Sequence, residues 1–181
     1  MVVMDNDIQK HANKSRAALR RTDRMISDLA VLKKLLLEGR FGVLSTVHQD
    51  QPYATPVNYL YVEEDHALYF HGAHVGRTRA NLALNPKVCF NVSEMGNLFA
   101  GERISDFGVE YQSVTVFGTA AKLHDPEKIE AVLLGLMQKH FPAYLPGEDY
   151  PLPEKDELKR TAVYRISIEE WSGKELQKSL D

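Results

Sequence analysis

The chain has almost no cysteine. Cys89 is the single one in 181 residues, so no disulfide can form within it, and the disulfide-stapled scaffolds of small secreted proteins are excluded. A cytoplasmic location is the expectation this favours. Charge of one sign is also missing in excess. The balance of 22 Lys and Arg against 25 Asp and Glu leaves a net charge of -3, which gives no basic surplus for nucleic acid or for an anionic membrane. Long hydrophobic runs are absent: the longest nearly apolar stretch, Ala131 to Met137, falls far short of the ~20 residues a membrane helix needs. The opening MVVMDNDIQK lacks the apolar core of a secretory signal. There is no internal repeat, no low-complexity tract, no Walker A pattern and no G-x-G-x-x-G. Against these absences, hydrophobic residues make up 44% of the chain, enough for one domain with a real core.

Residues 1–24 are polar and carry Lys10, Lys14, Arg16, Arg20, Arg21 and Arg24 with weak apolar periodicity. They read as a mobile or partly helical arm, either solvated or touching an anionic partner. A single domain is expected over 25–181. Ser27 is positioned to cap a helix whose Leu29, Leu32, Leu35 and Leu36 recur at helical spacing, with Gly39 at the stop. Strand-like runs follow over Arg40 to Val47, Tyr53 to Val62 and Ala67 to Gly72, linked by the polar turns HQDQ and EEDH. Links this short make neighbouring strands antiparallel. Gly76 to Leu84 reads as a short helix ended by Asn85-Pro86. Lys87 to Ser93 reads as a fourth strand, 94–108 as a loop, and Glu110 to Leu123 as a fifth strand with a bend or bulge at Gly118. Asp125-Pro126 opens a helix lasting to about His140. The prolines of 141–157 predict a loop, Thr161 to Ile168 a sixth strand, and EEWSGKELQK a short polar tail. The expected fold is mainly β with flanking helices: a six-stranded antiparallel β-barrel.

The most chemically suggestive stretch is YFHGAHVGRTRANLALNP, Tyr69 to Pro86. Its histidines, with His66, have spacing that tempts a metal reading. Side chains on a strand alternate faces, so His66 and His71 point apart, and no metal site is expected. Gly72 and Gly76 instead bracket a turn that opens onto a helix. A helix start exposes unpaired N–H groups and partial positive charge. Arg77 adds a fork of donors and Thr78 a hydroxyl, which together make an anion seat suited to a monophosphate. The alternative is a solvated turn with Arg for solubility. His71, at the strand end, is either a proton donor beside a cofactor or a structural histidine.

The ordered motifs LLLEGRFGVLST, QPYATPVNYLY, LYFHGAHVGRTRANLALNPKVCF and YQSVTVFGTA resemble the pyridoxamine 5′-phosphate oxidase-like flavoproteins, and among them the nitroimidazole-resistance branch, over about residues 25–174. The resemblance implies a split β-barrel that forms a homodimer, with FMN bound between subunits. It implies that Thr55, Pro56, Val57 and Asn58 lie along the flavin ring, that His71 and Gly72 lie near its phosphate–ribityl side, and that Arg77 binds phosphate. Thr78 stands where many relatives carry lysine. Ser113 falls in the matching Y-x-S-V strand, and Trp171 and Lys174 fall in a tail that covers the cofactor from the second subunit. The tail RISIEEWSGKELQK has no Arg-x-His substrate motif, which argues against vitamin B6 oxidation. The function implied is an FMN-dependent oxidoreductase that passes electrons to a small-molecule acceptor such as a nitroimidazole or another nitroaromatic, with His71 as the catalytic proton donor. The alternatives are a non-catalytic binder of flavin or haem, with His71 as an axial haem ligand, and a scaffold that uses its arm and subunit surface for partners.

Overall fold

The computed structural model describes residues 10 and 12–177. In chain order its elements are β1 (Met25–Ile26), α1 (Leu29–Glu38), β2 (Gly42–His48), β3 (Gln51–Val57), β4 (Tyr59–Val62), β5 (Ala67–Gly72), α2 (Arg77–Leu84), β6 (Lys87–Phe99), β7 (Gly108–Lys122), α3 (Pro126–His140), α4 (Lys155–Arg160) and β8 (Ala162–Leu176). The fold is mainly β with flanking helices, and every strand pairing is antiparallel. The strand order is β3-β2-β6-β7-β8-β5-β4, with β1 added to β8. The two ends of this path, β3 and β4, are consecutive in the chain and separated by Asn58 alone. A flat sheet cannot satisfy that, so the sheet curls until its two edges meet at one corner, giving a barrel split along the β3–β4 seam. Pro52 and Pro56 sit on β3, an edge strand, where a missing N–H disturbs no ladder.

Among the described residues, eight strands replace the six expected. The run from Tyr53 to Val62 is two strands broken at Asn58, and Met25–Ile26 is a short strand too brief to leave a periodic signal. The predicted loop is confined to residues 100–107, because strand takes both of its ends, with β7 beginning at Gly108. β6 runs on to Phe99, and its register against β7 slips where Gly96 and Asn97 face Glu110, whose Oε2 accepts from the Asn97 backbone N–H at 3.2 Å and from Asn97 Nδ2 at 2.9 Å. The predicted polar tail is also strand, because β8 continues to Leu176. Its register shifts opposite Phe117 and Gly118, with Phe117 against Glu170 and Gly118 against Ile168, so Glu169 is the extra residue of a bulge. Ile166 and Ile168 are buried before it, and Gly173 after it. The inward phase changes from even to odd numbers, and an unbroken period-2 reading stops at Ile168. Gly118 permits the close approach here, since a Cβ on it would lie 2.0 Å from the Ser167 carbonyl oxygen. The cap of α1 is Asp28 rather than Ser27; its carboxylate accepts from the Ala30 N–H at 2.8 Å. Residues 155–157 of the predicted loop begin α4.

Strand parity divides the core as alternation requires. Leu68 and Phe70 of β5 point into the main cluster with Leu36, Leu44, Tyr59, Phe90, Val116 and Ile166. Ala67 and Tyr69 point the other way, into a second cluster with Val132 and Leu136 of α3. His71 follows the Ala67–Tyr69 phase, toward α3. His66 stands outside the strand with φ 45° and packs edge-on to Trp171 at 5.1 Å. Of the N-terminal arm, residues 1–9 and 11 lie outside the described residues. Arg16 pairs with Glu170 at 2.7 Å and Glu169 at 3.0 Å on β8. Among the described residues, no helix is long and apolar enough to cross a membrane.

Candidate functional site

α2 is the element that builds the site. Its Asn81 is buried and donates from Nδ2 to the Thr46 hydroxyl at 2.9 Å, and Thr46 donates on to the Tyr53 carbonyl at 3.3 Å. Asn85 donates to the Val47 carbonyl at 3.3 Å. These bonds fix α2 to the β2–β3 hairpin and aim its start at the end of β5. The N-cap is Gly76, at φ 122° and ψ 174°, with no side-chain cap. That backbone conformation is open essentially to glycine alone. A glycine cap also leaves the first N–H groups of the helix without a side-chain acceptor, so the helix start faces outward as a donor set.

In front of that helix start lies a cavity of ≈ 300 Å³, at the lower end of the ~300–1,000 Å³ usual for small-ligand sites. Six of the residues singled out in the sequence line it together: Thr55, Val57, His71, Gly72, Arg77 and Thr78. Sequence reasoning missed Arg79, Tyr53, Phe70 and Tyr164, which line it too. Phe70 and Tyr164 come from paired positions on β5 and β8 and stack at 5.0 Å with 12° between planes, forming an aromatic wall. The Tyr164 hydroxyl is buried and has no hydrogen-bond partner among the described residues. Burial holds this phenol above its usual range, while the charge of Arg79 pulls it back. Such an orphaned hydroxyl costs about 1–3 kcal/mol unless something answers it.

The other predicted residues stand elsewhere. Pro56 is exposed on the opposite face of β3 from Thr55 and Val57. Asn58 donates to the Arg40 carbonyl at 3.2 Å and lines a second cavity, which shares His71 as a wall with the first. Ser113 donates to the Lys174 carbonyl at 3.2 Å on the β7–β8 ladder, and Lys174 Nζ lies 5.8 Å from the Tyr111 ring centroid. Trp171 is half-buried against the main core. Within one chain, Ser113, Trp171 and Lys174 line neither cavity. His74 does not join His71 on a common centre. It faces the Lys159 carbonyl at 2.8 Å through Nε2 and Lys122 Nζ at 3.3 Å through Nδ1, and among the described residues no three His, Cys, Asp or Glu side chains gather to hold a metal.

Comparison with known proteins bears on this arrangement. Residues 28–175 match the family model described as pyridoxamine 5′-phosphate oxidase. No curated protein matches the chain. Among solved structures, the flavocytochrome Anf3 of Azotobacter vinelandii superposes with a TM-score of 0.77 at 21% identity, covering 92% of this chain and 78% of its own. A candidate 5-nitroimidazole antibiotic resistance protein of Bacteroides thetaiotaomicron gives 0.70 at 18% identity, covering 83% and 85%. A FAD-binding protein of Mesorhizobium loti gives 0.63 at 25% identity, covering 85% and 98%.

Proposed function

The chain belongs to the pyridoxamine 5′-phosphate oxidase family, and from that premise we propose that it is a flavin-dependent oxidoreductase. FMN is held at the start of α2, and electrons pass to a small electrophile such as a nitroimidazole or another nitroaromatic. The observation that carries this reading is the convergence of an uncapped helix start, Arg77 and Arg79 on one cavity beside β3. The residues fit the phosphate end of a flavin. The helix N–H groups and the two guanidinium groups supply directed donors and positive charge, and the orphaned Tyr164 hydroxyl supplies one polar contact more. Thr78, lacking the charge of a lysine, leaves the phosphate to Arg77, Arg79 and the backbone.

A bound flavin supplies the hydride or single-electron transfer itself. The protein's part is to hold and orient. Thr55 and Val57 form the β3 side of the cavity, and Phe70 and Tyr164 wall it with apolar rings that exclude water. His71 stands exposed at the mouth, where an imidazole can hand a proton to a reduced acceptor.

The homodimer belongs to the same proposal. Ser113, Trp171 and Lys174 lie on β7 and β8, off their own chain's cavity, and the far end of the β6–β7 hairpin exposes Met95, Leu98, Ile104 and Phe107, an apolar set suited to burial against a second copy. Titration of the purified chain with FMN and with FAD, followed by anaerobic reduction and mixing with a nitroimidazole, tests the reading. The expected result is one FMN per chain and reoxidation by the acceptor. Failure of both flavins to bind would sink it, and an intense Soret band in the purified protein would point to the haem-binding alternative.

A further inference from the structure

The second cavity, of ≈ 280 Å³, lies across His71 from the first, between the β3–β4 corner and the end of α3. Its walls divide by chemistry. Leu136, Met137 and Phe141 make an apolar side, while Arg40, His71 and His140 bring cationic or protonatable groups, with no carboxylate among the described lining residues. Two of these polar groups are unanswered. His140 Nε2 is buried with no hydrogen-bond partner among the described residues. The exposed Arg40 guanidinium makes no ion pair among them either. Lys139, behind His140, lies 3.8 Å from the Tyr59 ring centroid and adds positive charge with no acid beside it among the described residues. A cation has nothing to gain here, and a neutral apolar molecule would leave the imidazole nitrogen unpaired. A carboxylate answers both groups at once, because a guanidinium and an imidazolium are its natural donors.

We propose that this cavity binds a small organic anion, a carboxylate carried on an apolar or aromatic body, with Arg40 and His140 holding the carboxylate and Leu136, Met137 and Phe141 covering the body. Its use as the acceptor's seat rests on the flavin reading above; the binding itself does not. The charges around His140 give the binding a pH signature. Burial, then the charges of Lys139 on α3, Arg40 in the loop after α1 and His71 on β5, hold the free imidazole below its usual range; the Tyr59 main chain alone favours its charged form. A bound carboxylate reverses that balance. Binding therefore takes up a proton, and affinity falls as pH rises from the lowered range of the free imidazole through that of the bound form.

Calorimetric titration of the flavin-free chain with benzoate, and with benzyl alcohol as a neutral counterpart, tests the proposal. Benzoate is expected to bind on the order of tenfold more tightly, the low end of what a charge-assisted hydrogen bond is worth, and to weaken toward alkaline pH. Arg40→Gln, on an exposed side chain that the fold does not need, is expected to remove that advantage and leave benzyl alcohol unchanged. His140→Phe should do the same wherever thermal melting shows it folded. Equal affinity for the two probes would overturn the proposal. So would benzoate binding indifferent to Arg40→Gln, or abolished by Arg77→Ala instead, which would put the carboxylate on the phosphate seat. FMN titration of the same sample separates the two readings: a chain that binds benzoate through Arg40 and no flavin loses only the flavin proposal.

Discussion

The two cavities that share His71 attract negative charge by different means. The first uses the backbone: the start of α2 presents N–H groups that glycine leaves uncapped, and Arg77 and Arg79 reinforce a field already fixed by the helix. The second lies at the last turn of α3, where the helix field has the opposite sign and steadies cationic side chains rather than anions. Its positive character comes from side chains alone, from Arg40, His140 and Lys139. The first draws on backbone dipoles and guanidinium groups, whereas the second depends on an imidazole that must gain a proton. A phosphate suits the former; a carboxylate, which draws a proton onto that imidazole, suits the latter.

That contrast can be broken in several places. The largest effect is expected from Arg77→Ala, which should weaken FMN by about 1.5–3 kcal/mol, the worth of a charged hydrogen bond, and leave benzoate affinity untouched; equal losses for both ligands would merge the two sites into one. Gly76→Val forces a β-branched residue into glycine-only backbone, and should cost about 1–3 kcal/mol of thermal stability together with FMN affinity, again sparing benzoate. Tyr164→Phe should act with opposite signs. Removing an orphaned buried hydroxyl raises the melting temperature of the flavin-free chain, by about 1 kcal/mol in stability, and lowers flavin affinity. If both measurements move upward, the hydroxyl serves no ligand.

The smallest effect concerns Lys139, behind the second cavity only. Burial lowers its ammonium from the usual lysine range to about 8. The unfolded chain keeps the proton up to the ordinary lysine value, so between those values the unfolded state binds more protons and wild-type stability rises with pH. Lys139→Met should abolish that rise. The change should be below about 1 kcal/mol, since the side chain is only partly buried and water screens it. Melting curves at neutral and alkaline pH measure the difference.

Local patterns made much of this legible. The parity of β5 sorted Leu68 and Phe70 from Tyr69 and His71, although His66 lies outside the strand and its position is set by the turn; Asp125-Pro126 marked the start of α3, and Gly76 marked that of α2. Thr55, Val57, His71, Gly72, Arg77 and Thr78 were brought together by the order of motifs, and they line one cavity. What stayed hidden depends on pairing across long stretches of chain. Tyr164 enters the site because β8 lies against β5, opposite Phe70, and nothing near Tyr164 in sequence announces it. Arg79 was in plain view in the R-T-R run, but its half-buried position depends on how α2 is tied to Thr46. Arg40 and His140 are a hundred residues apart and meet only because α3 packs against the outer face of β5. The length of β8 was lost for a local reason, the added residue at Glu169 that reverses the inward phase.

The place of β8 in the strand order has a consequence for how the molecule is made. The last strand of the chain lies between β7 and β5, and it joins the group β3-β2-β6-β7 to the hairpin β4-β5. Until its residues leave the ribosome, the nascent polypeptide is two unjoined pieces, each with an open edge and neither with the Phe70–Tyr164 wall. Assembly therefore waits for β8 and is slow in proportion to the non-local closure it requires, and until then those exposed edges are where a chaperone, or another unfinished copy, would take hold.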